Sequence, residues 1–290
     1  MKKNNRKLAV FIKTCHGRPS LLWVLESVKL TFKDIDYRIY ISDEKPLDDW
    51  KVDLYDKLIE EGHHVEIHEQ GINCGVARNL LIEQLNDEEL VLRMDDDFEL
   101  GGEFNFEAMK TVLHVSEEIG FCSDFERQLG DNKGVKSGSI RPAGGMFKIN
   151  PPILTKKFHS PFKKPRYING YRYILAEHTR NLLLIKRKLL GDVKWNEELL
   201  FRGEHEEFML SIKEEGYLGA YTPDSVHYHR DDLMQFRSKN ENNKKSVRRG
   251  DLEKKRVFYS KFGCKEVKTS YPLSWYAIEL GRRTIDKIIN

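Results

Sequence analysis

The chain has 290 residues, 39% of them hydrophobic and 33% charged, with a formal net charge of +3; this is an ordinary globular composition, with enough apolar material for one large core and a smaller appendage. No segment is long and apolar enough for a signal peptide or a membrane span, the first apolar stretch ending at Lys13. Cys15, Cys74, Cys122 and Cys264 lie far apart and form no Cys-x-x-Cys pair, which argues against a zinc site or a disulfide framework and leads us to expect a reducing cytoplasm.

In chain order, the first hundred residues alternate short β-like runs with helical patterns. Strands are expected at 8–12, 37–41, 65–67 and 90–94, with helices from about Ser20, near Leu54 and from about Gly75. Such alternation implies βαβ units, right-handed crossovers and a mostly parallel sheet. In an open α/β sheet, ligands sit outside the carboxyl ends of the strands, where loops and helix N-termini converge. Thr14 to Arg18, Asp43 and the acidic run Asp95-Asp96-Asp97 all fall on that rim.

Three adjacent carboxylates repel one another and are most readily explained by a cation that neutralises them. A solvated turn, or an N-cap with first-turn acids, is the competing reading of the same residues. The third helix is expected to be capped by Asn73 and to bury Val76, Leu80, Leu81 and Leu85. Its first turn carries Arg78, where the helix dipole disfavours a cation, so an anionic ligand or a surface acid is expected beside it.

Residues 130–173 are rich in Gly, Pro and Lys and read as a long loop, either disordered or a substrate lid. Gly203-Glu204-His205-Glu206-Glu207-Phe208 then opens a helix that Gly216 stops; carboxylates in a first turn either complement the dipole or supply a general base. In Val226-His227-Tyr228-His229, an extended backbone would put both imidazoles on one face, as a surface pair or as a late ligand to an oxygen-rich metal site. Residues 233–290 hold 15 Lys and Arg against 6 Asp and Glu, so this stretch carries +9 and the remainder −6. We expect a basic helical extension here. Its apolar residues pack on the main domain, on a second subunit in a homodimer, or against an anionic membrane surface where lipid-linked acceptors reside. No nucleic-acid partner is expected.

The ordered set Val10-Phe11-Ile12-Lys13-Thr14, Ile41-Ser42-Asp43, Gly75-Val76-Ala77-Arg78-Asn79, Met94-Asp95-Asp96-Asp97-Phe98, Glu204-His205-Glu206-Glu207-Phe208 and His229 resembles the GT-A glycosyltransferases, the class that includes glycosyltransferase family 2. Within that class it looks most like the β-1,4-N-acetylgalactosaminyltransferases. The resemblance covers about residues 8–231. It implies a GT-A catalytic domain over 1–232, with a nucleotide-binding half (1–100) and an acceptor and metal half (101–232), followed by the extension at 233–290.

The resemblance also implies site roles. Asp95 and Asp97 would be the Asp-x-Asp pair holding a divalent ion, manganese or magnesium, on the diphosphate of a nucleotide sugar, with His229 completing its coordination. Thr14, Arg18 and Asp43 match positions around the nucleoside, Arg78 a position near phosphate or sugar, and Asp96 belongs to the same donor-binding element. The catalytic positions are Glu204, His205 and Glu207, with the base falling among these and Glu206. Where many enzymes of this class have a Glu-Asp pair, this chain reads Glu204-His205, which leaves the base open between the imidazole and its neighbouring acids.

The implied reaction is inverting transfer of a sugar, from UDP-hexose or UDP-N-acetylhexosamine, to a hydroxyl of a glycan or lipid-linked glycan acceptor. Two other readings remain at this point: a sugar nucleotidyltransferase, disfavoured because Thr14-Cys15-His16-Gly17-Arg18 has a single Gly and a single Arg, and a non-catalytic sugar-binding relative of the transferases.

Overall fold

A computed structural model of the chain describes residues 8–14, 20–130, 138–198, 204–230, 259–260 and 262–274. The elements run β1 (Leu8–Lys13), α1 (Ser20–Thr31), β2 (Tyr37–Glu44), α2 (Asp49–Glu60), β3 (His64–His68), α3 (Cys74–Glu83) and β4 (Leu90–Asp95). Then come β5 (Phe98–Glu99), α4 (Phe106–Leu113), β6 (Ile119–Leu129), β7 (Ile140–Arg141), β8 (Gly144–Asn150), β9 (Ile153–Phe158) and β10 (Arg166–Ile168). Last are β11 (Tyr171–Ala176), β12 (His178–Thr179), β13 (Leu183–Lys186), α5 (Arg187–Asp192), α6 (Glu204–Glu214), β14 (Leu218–Arg230) and β15 (Glu266–Ser270).

The large sheet has the order β10-β11-β14-β6-β13-β4-β1-β2-β3. Strands β1 to β4 are mutually parallel, as the βαβ pattern predicts, while β13 is inserted antiparallel between β4 and β6. All six residues of β1 are buried because helices cover both faces of the sheet. Its alternation divides the core in two: Leu8, Val10 and Ile12 pack with α1 and α4, whereas Ala9 and Phe11 pack with Leu81 of α3 and with Trp195 and α6. Each fully buried aliphatic or aromatic side chain stabilises this arrangement by about 1.5–3 kcal/mol.

Register aligns the functional rim. Lys13 lies opposite Ser42 of β2 on one side and Asp95 of β4 on the other, so Thr14, Asp43 and the acidic turn leave the sheet at one level.

Two expectations are corrected. The described part of the 130–173 stretch is largely sheet: β8 and β9 form a hairpin closed at Pro151 and Pro152, in a second sheet of order β12-β8-β9-β15. Phe147, Leu154 and Phe158 face inward there, and the intervening polar residues disguise the strands as loop. Helix α3 is rotated from the expected stripe. It buries Gly75, Ala77, Arg78, Asn79 and Leu81, while Val76 and Leu80 are only partly buried. The described part of the basic C-terminal stretch contributes β15, parallel to β9, and residues 259–260 and 273–274 are helical. Tyr259 and Cys264 join the second core, so this stretch is stitched into the main body. Residues 231–258 and 275–290, on which the membrane and homodimer expectations rest, lie outside the described residues.

Candidate active site

The rim is held by buried ion pairs between neighbouring strand ends. Lys13 Nζ donates to Glu44 Oε1 at 2.7 Å, and Glu44 Oε2 accepts from the Gly71 backbone N–H at 2.9 Å. Asp43 has no exposed surface; its Oδ2 accepts from Lys51 Nζ and the Tyr55 hydroxyl, each at 2.6 Å. Burial, and then the Asp43 carboxylate, push the Tyr55 hydroxyl far above its ordinary range, so it remains a donor. Both Asp43 oxygens are engaged within the fold, Oδ1 by the Glu44 N–H at 2.8 Å.

The acidic turn sends its three side chains in three directions. Asp96 points back into the protein, where its Oδ2 accepts from Thr14 Oγ1 at 2.6 Å; this anchors the turn to the end of β1. Asp95 turns toward two arginines, with Arg93 Nη2 at 2.5 Å and Arg78 Nη2 at 3.5 Å. Asp97 turns toward β14, where His229 Nε2 lies 3.6 Å from its Oδ2. Strand β14 is extended there, and both His227 and His229 pack on the Phe98 ring, with centroids 4.7 and 5.3 Å away.

The two histidines have different fates. His227 is fully buried, its Nδ1 within 2.7 Å of Asp124 Oδ1. His229 lies between Asp97 and Glu126, whose Oε1 is 3.5 Å from its Nδ1. Burial disfavours its cation, yet the hydrogen bonds of Asp97 and Glu126 prevail and raise its pKa to about 10. Glu126 also accepts from Arg141 Nη1 at 2.7 Å.

Arg78 owes its place to a clasp between α3 and the chain before α6. Asn73 caps α3, its Oδ1 accepting from Gly75 N–H at 2.9 Å and Val76 N–H at 3.3 Å. Gly75 is needed because a Cβ there would meet the Asn196 carbonyl oxygen at 2.2 Å. Asn79 then bonds both ways to Trp195, its Nδ2 donating to the carbonyl at 2.9 Å and its Oδ1 accepting from the N–H at 3.0 Å. Trp195 stacks on Phe208 of α6 at 4.0 Å, and Arg78 lies over the same indole. These contacts bring the α6 N-terminus to the rim, with Arg78 Nη1 3.5 Å from Glu204 Oε1.

The residues opening α6 face different ways. His205 Nε2 is 3.3 Å from Glu204 Oε1 and 3.4 Å from Arg93 Nη2. Burial, then the two arginines, hold its pKa well below the ordinary histidine range, so the ring is neutral at pH 7. Glu206 is paired with Lys156. Glu207, expected at the site, is instead drawn into the interior at 1% exposure, where its Oε2 accepts from Asn196 Nδ2 at 2.7 Å. Arg18 lies outside the described residues.

Sequence reasoning missed Arg93, Trp195, Glu126 and the Lys51–Tyr55 pair. Arg93 left a readable signal: a charge inside an apolar strand, two residues before Asp95 and therefore on its face.

Among the described residues, no three His, Cys, Asp or Glu side chains are grouped so as to hold a metal ion. Asp97 and His229 nonetheless face each other as a carboxylate and an imidazole, a donor pair suited to manganese once the imidazole gives up its proton. Asp95 is engaged by arginines in this arrangement.

No family model matches this sequence, and no curated protein matches it. Solved structures do resemble the fold. The crystal structure of GalNAc-T7 with UDP, GalNAc and Mn2+ aligns with a TM-score of 0.60 at 15% identity, covering 91% of this chain and 55% of that one. The crystal structure of S. aureus TarS aligns with a TM-score of 0.51 at 14% identity, covering 87% and 44%. The chain therefore spans about half the length of these structures. At such identities the likeness establishes architecture, and that architecture, a mixed α/β chain built on a large central sheet, is the GT-A fold of these glycosyltransferases.

Proposed function

We propose that this protein transfers a sugar from a nucleotide diphosphate sugar, UDP-hexose or UDP-N-acetylhexosamine, to a hydroxyl of a glycan or lipid-linked glycan. The observation that carries the reading is the splayed acidic turn at the β4 rim of a GT-A fold, with Asp97 directed at His229 and Asp95 at Arg78 and Arg93. The UDP, GalNAc and Mn2+ named for the GalNAc-T7 structure support the donor class.

In this reading Asp97 and His229 hold the ion, and Asp95 contacts the donor from its arginine-braced position. A bound divalent ion supplies Lewis acidity to the departing diphosphate. Arg78 and Arg93 set the geometry of Asp95, while Asp96, tied to Thr14, keeps the turn from collapsing. His205 is held neutral and so keeps a lone pair to accept the acceptor's hydroxyl proton, with Glu204 orienting the ring. Direct displacement with inversion requires one base and no protein nucleophile.

Turnover of a panel of UDP-sugars, measured with and without manganese, tests the proposal. Metal-dependent release of UDP is expected. Absence of both turnover and metal-dependent UDP binding would overturn it. His205→Ala is expected to lose turnover while keeping UDP affinity; unchanged turnover would move the base to Glu204 or Glu206.

A further inference from the structure

Beside the rim, α1 and the segment after β5 enclose an open cavity of about 490 Å3. Trp23, Glu26 and Leu30 line it from α1, and Glu99, Gly102 and Phe104 face them. The inward stripe of α1 is Leu21, Val24, Leu25 and Val28, so Trp23 and Leu30 contribute little to the core; they stand 41% and 67% exposed. A half-exposed indole lining a groove offers a ligand an apolar surface beside the polar groups around it.

Its surroundings specify the ligand's chemistry. Arg230 lies over the Trp23 ring at 5.7 Å and donates to Glu99 Oε2 at 2.6 Å, which fixes both groups at one end of the groove. Gly101 lets the Tyr228 ring come within 2.0 Å of where a Cβ would stand, while Gly102 leaves its side of the groove open, with nothing within 4 Å. An apolar indole face beside carboxylates matches a sugar ring, whose C–H face packs on the aromatic surface while its hydroxyls donate to Glu26 and Glu99. The same two carboxylates disfavour a nucleotide, an anionic membrane and an isologous contact that would bring like charges together.

The groove is also joined to the rim. Arg230 follows His229 on β14, and its backbone N–H donates to the Asp97 carbonyl at 2.8 Å. We infer that this Trp23 groove is a carbohydrate subsite that takes neutral sugar units of the acceptor, leading away from the Asp97–His229 pair. Its role as an acceptor subsite rests on the transferase reading; its ability to bind sugar does not.

Titration of the full chain with chitotetraose, cellotetraose and maltotetraose, followed by calorimetry and saturation-transfer NMR, tests it. At least one is expected to bind saturably, and Trp23→Ala to weaken that binding about tenfold. Gly102→Phe, which fills the groove without removing a contact, is expected to do the same. Manganese-dependent UDP binding serves as the fold control for both variants. Absence of binding by all three oligosaccharides, or equal binding by wild type and both variants, would overturn the inference. So would a wild-type dimer that Trp23→Ala dissociates, since the groove would then be a subunit contact. Failure of wild-type UDP binding with manganese would strike the transferase reading alone and leave a sugar-binding groove standing.

Discussion

Asp95 and Asp97 stand two residues apart, and the fold balances their charges by different means. On the Asp95 side, two enclosed arginines meet two carboxylates, Asp95 and Glu204, with the neutral ring of His205 packed among them. On the Asp97 side, the imidazole of His229 lies between two carboxylates, Asp97 and Glu126, with Arg141 reaching Glu126. Guanidinium groups do not give up their charge, whereas an imidazolium can. The first cluster is thus a permanent lock, and in the reading proposed above the second is where a divalent ion would take the place of a proton.

The contrast breaks most visibly at Arg93. Arg93→Met keeps the stem but leaves Asp95 and Glu204 with one buried guanidinium, so urea unfolding is expected to show a loss of about 3–5 kcal/mol. A loss below about 1 kcal/mol would mean that the lock does not hold the rim. Thr14→Val deletes the donor to Asp96, with an expected cost of about 1–2 kcal/mol in the same measurement and weaker UDP binding as the turn loosens.

A third prediction concerns His178, outside both clusters. It is buried against Phe147 and Phe158, and burial, with Lys156 adding to it, lowers its pKa to about 3 from an ordinary 6.5. The unfolded chain takes up this proton near pH 6.5 and the folded chain does not. Its contribution is therefore fully present above pH 6.5 and declines as pH falls toward 3, by about 1.4 kcal/mol per pH unit. His178→Gln should flatten the urea midpoint against pH in that window. Asp97→Asn is expected to cost less stability than Arg93→Met at pH 7, because the His229 imidazole, unlike a guanidinium, can release its proton when its partner is neutralised. A large loss there would make Asp97 a structural residue like Asp95.

Much of the parallel half was legible in the sequence. Apolar runs of strand length, Asn73 before a helical pattern and acids at a strand end mark β1 to β4, the α3 cap and the rim through local rules alone. The β8–β9 hairpin escaped because its outward residues are polar and its Pro151-Pro152 turn looks like loop punctuation. The rotation of α3 was hidden for a different reason. Arg78 and Asn79 are buried only because Trp195 and Glu204 meet them from more than a hundred positions along the chain, and periodicity carries no record of such partners. The same distance in sequence separates Asp97 from His229. The two spaced histidines suggested a late metal ligand as one of two readings, and only family resemblance assigned that part to His229 beside Asp97.

Calorimetric titration of UDP in manganese and in EDTA, on wild type and Asp97→Asn, tests the central claim most directly. Wild type is expected to bind UDP with manganese and to lose that binding in EDTA, while Asp97→Asn, still folded, shows only the metal-independent residue in both buffers. Wild-type affinity unaffected by EDTA, or an Asp97→Asn variant indistinguishable from wild type, would contradict the assignment of this rim as a metal-dependent nucleotide-sugar site.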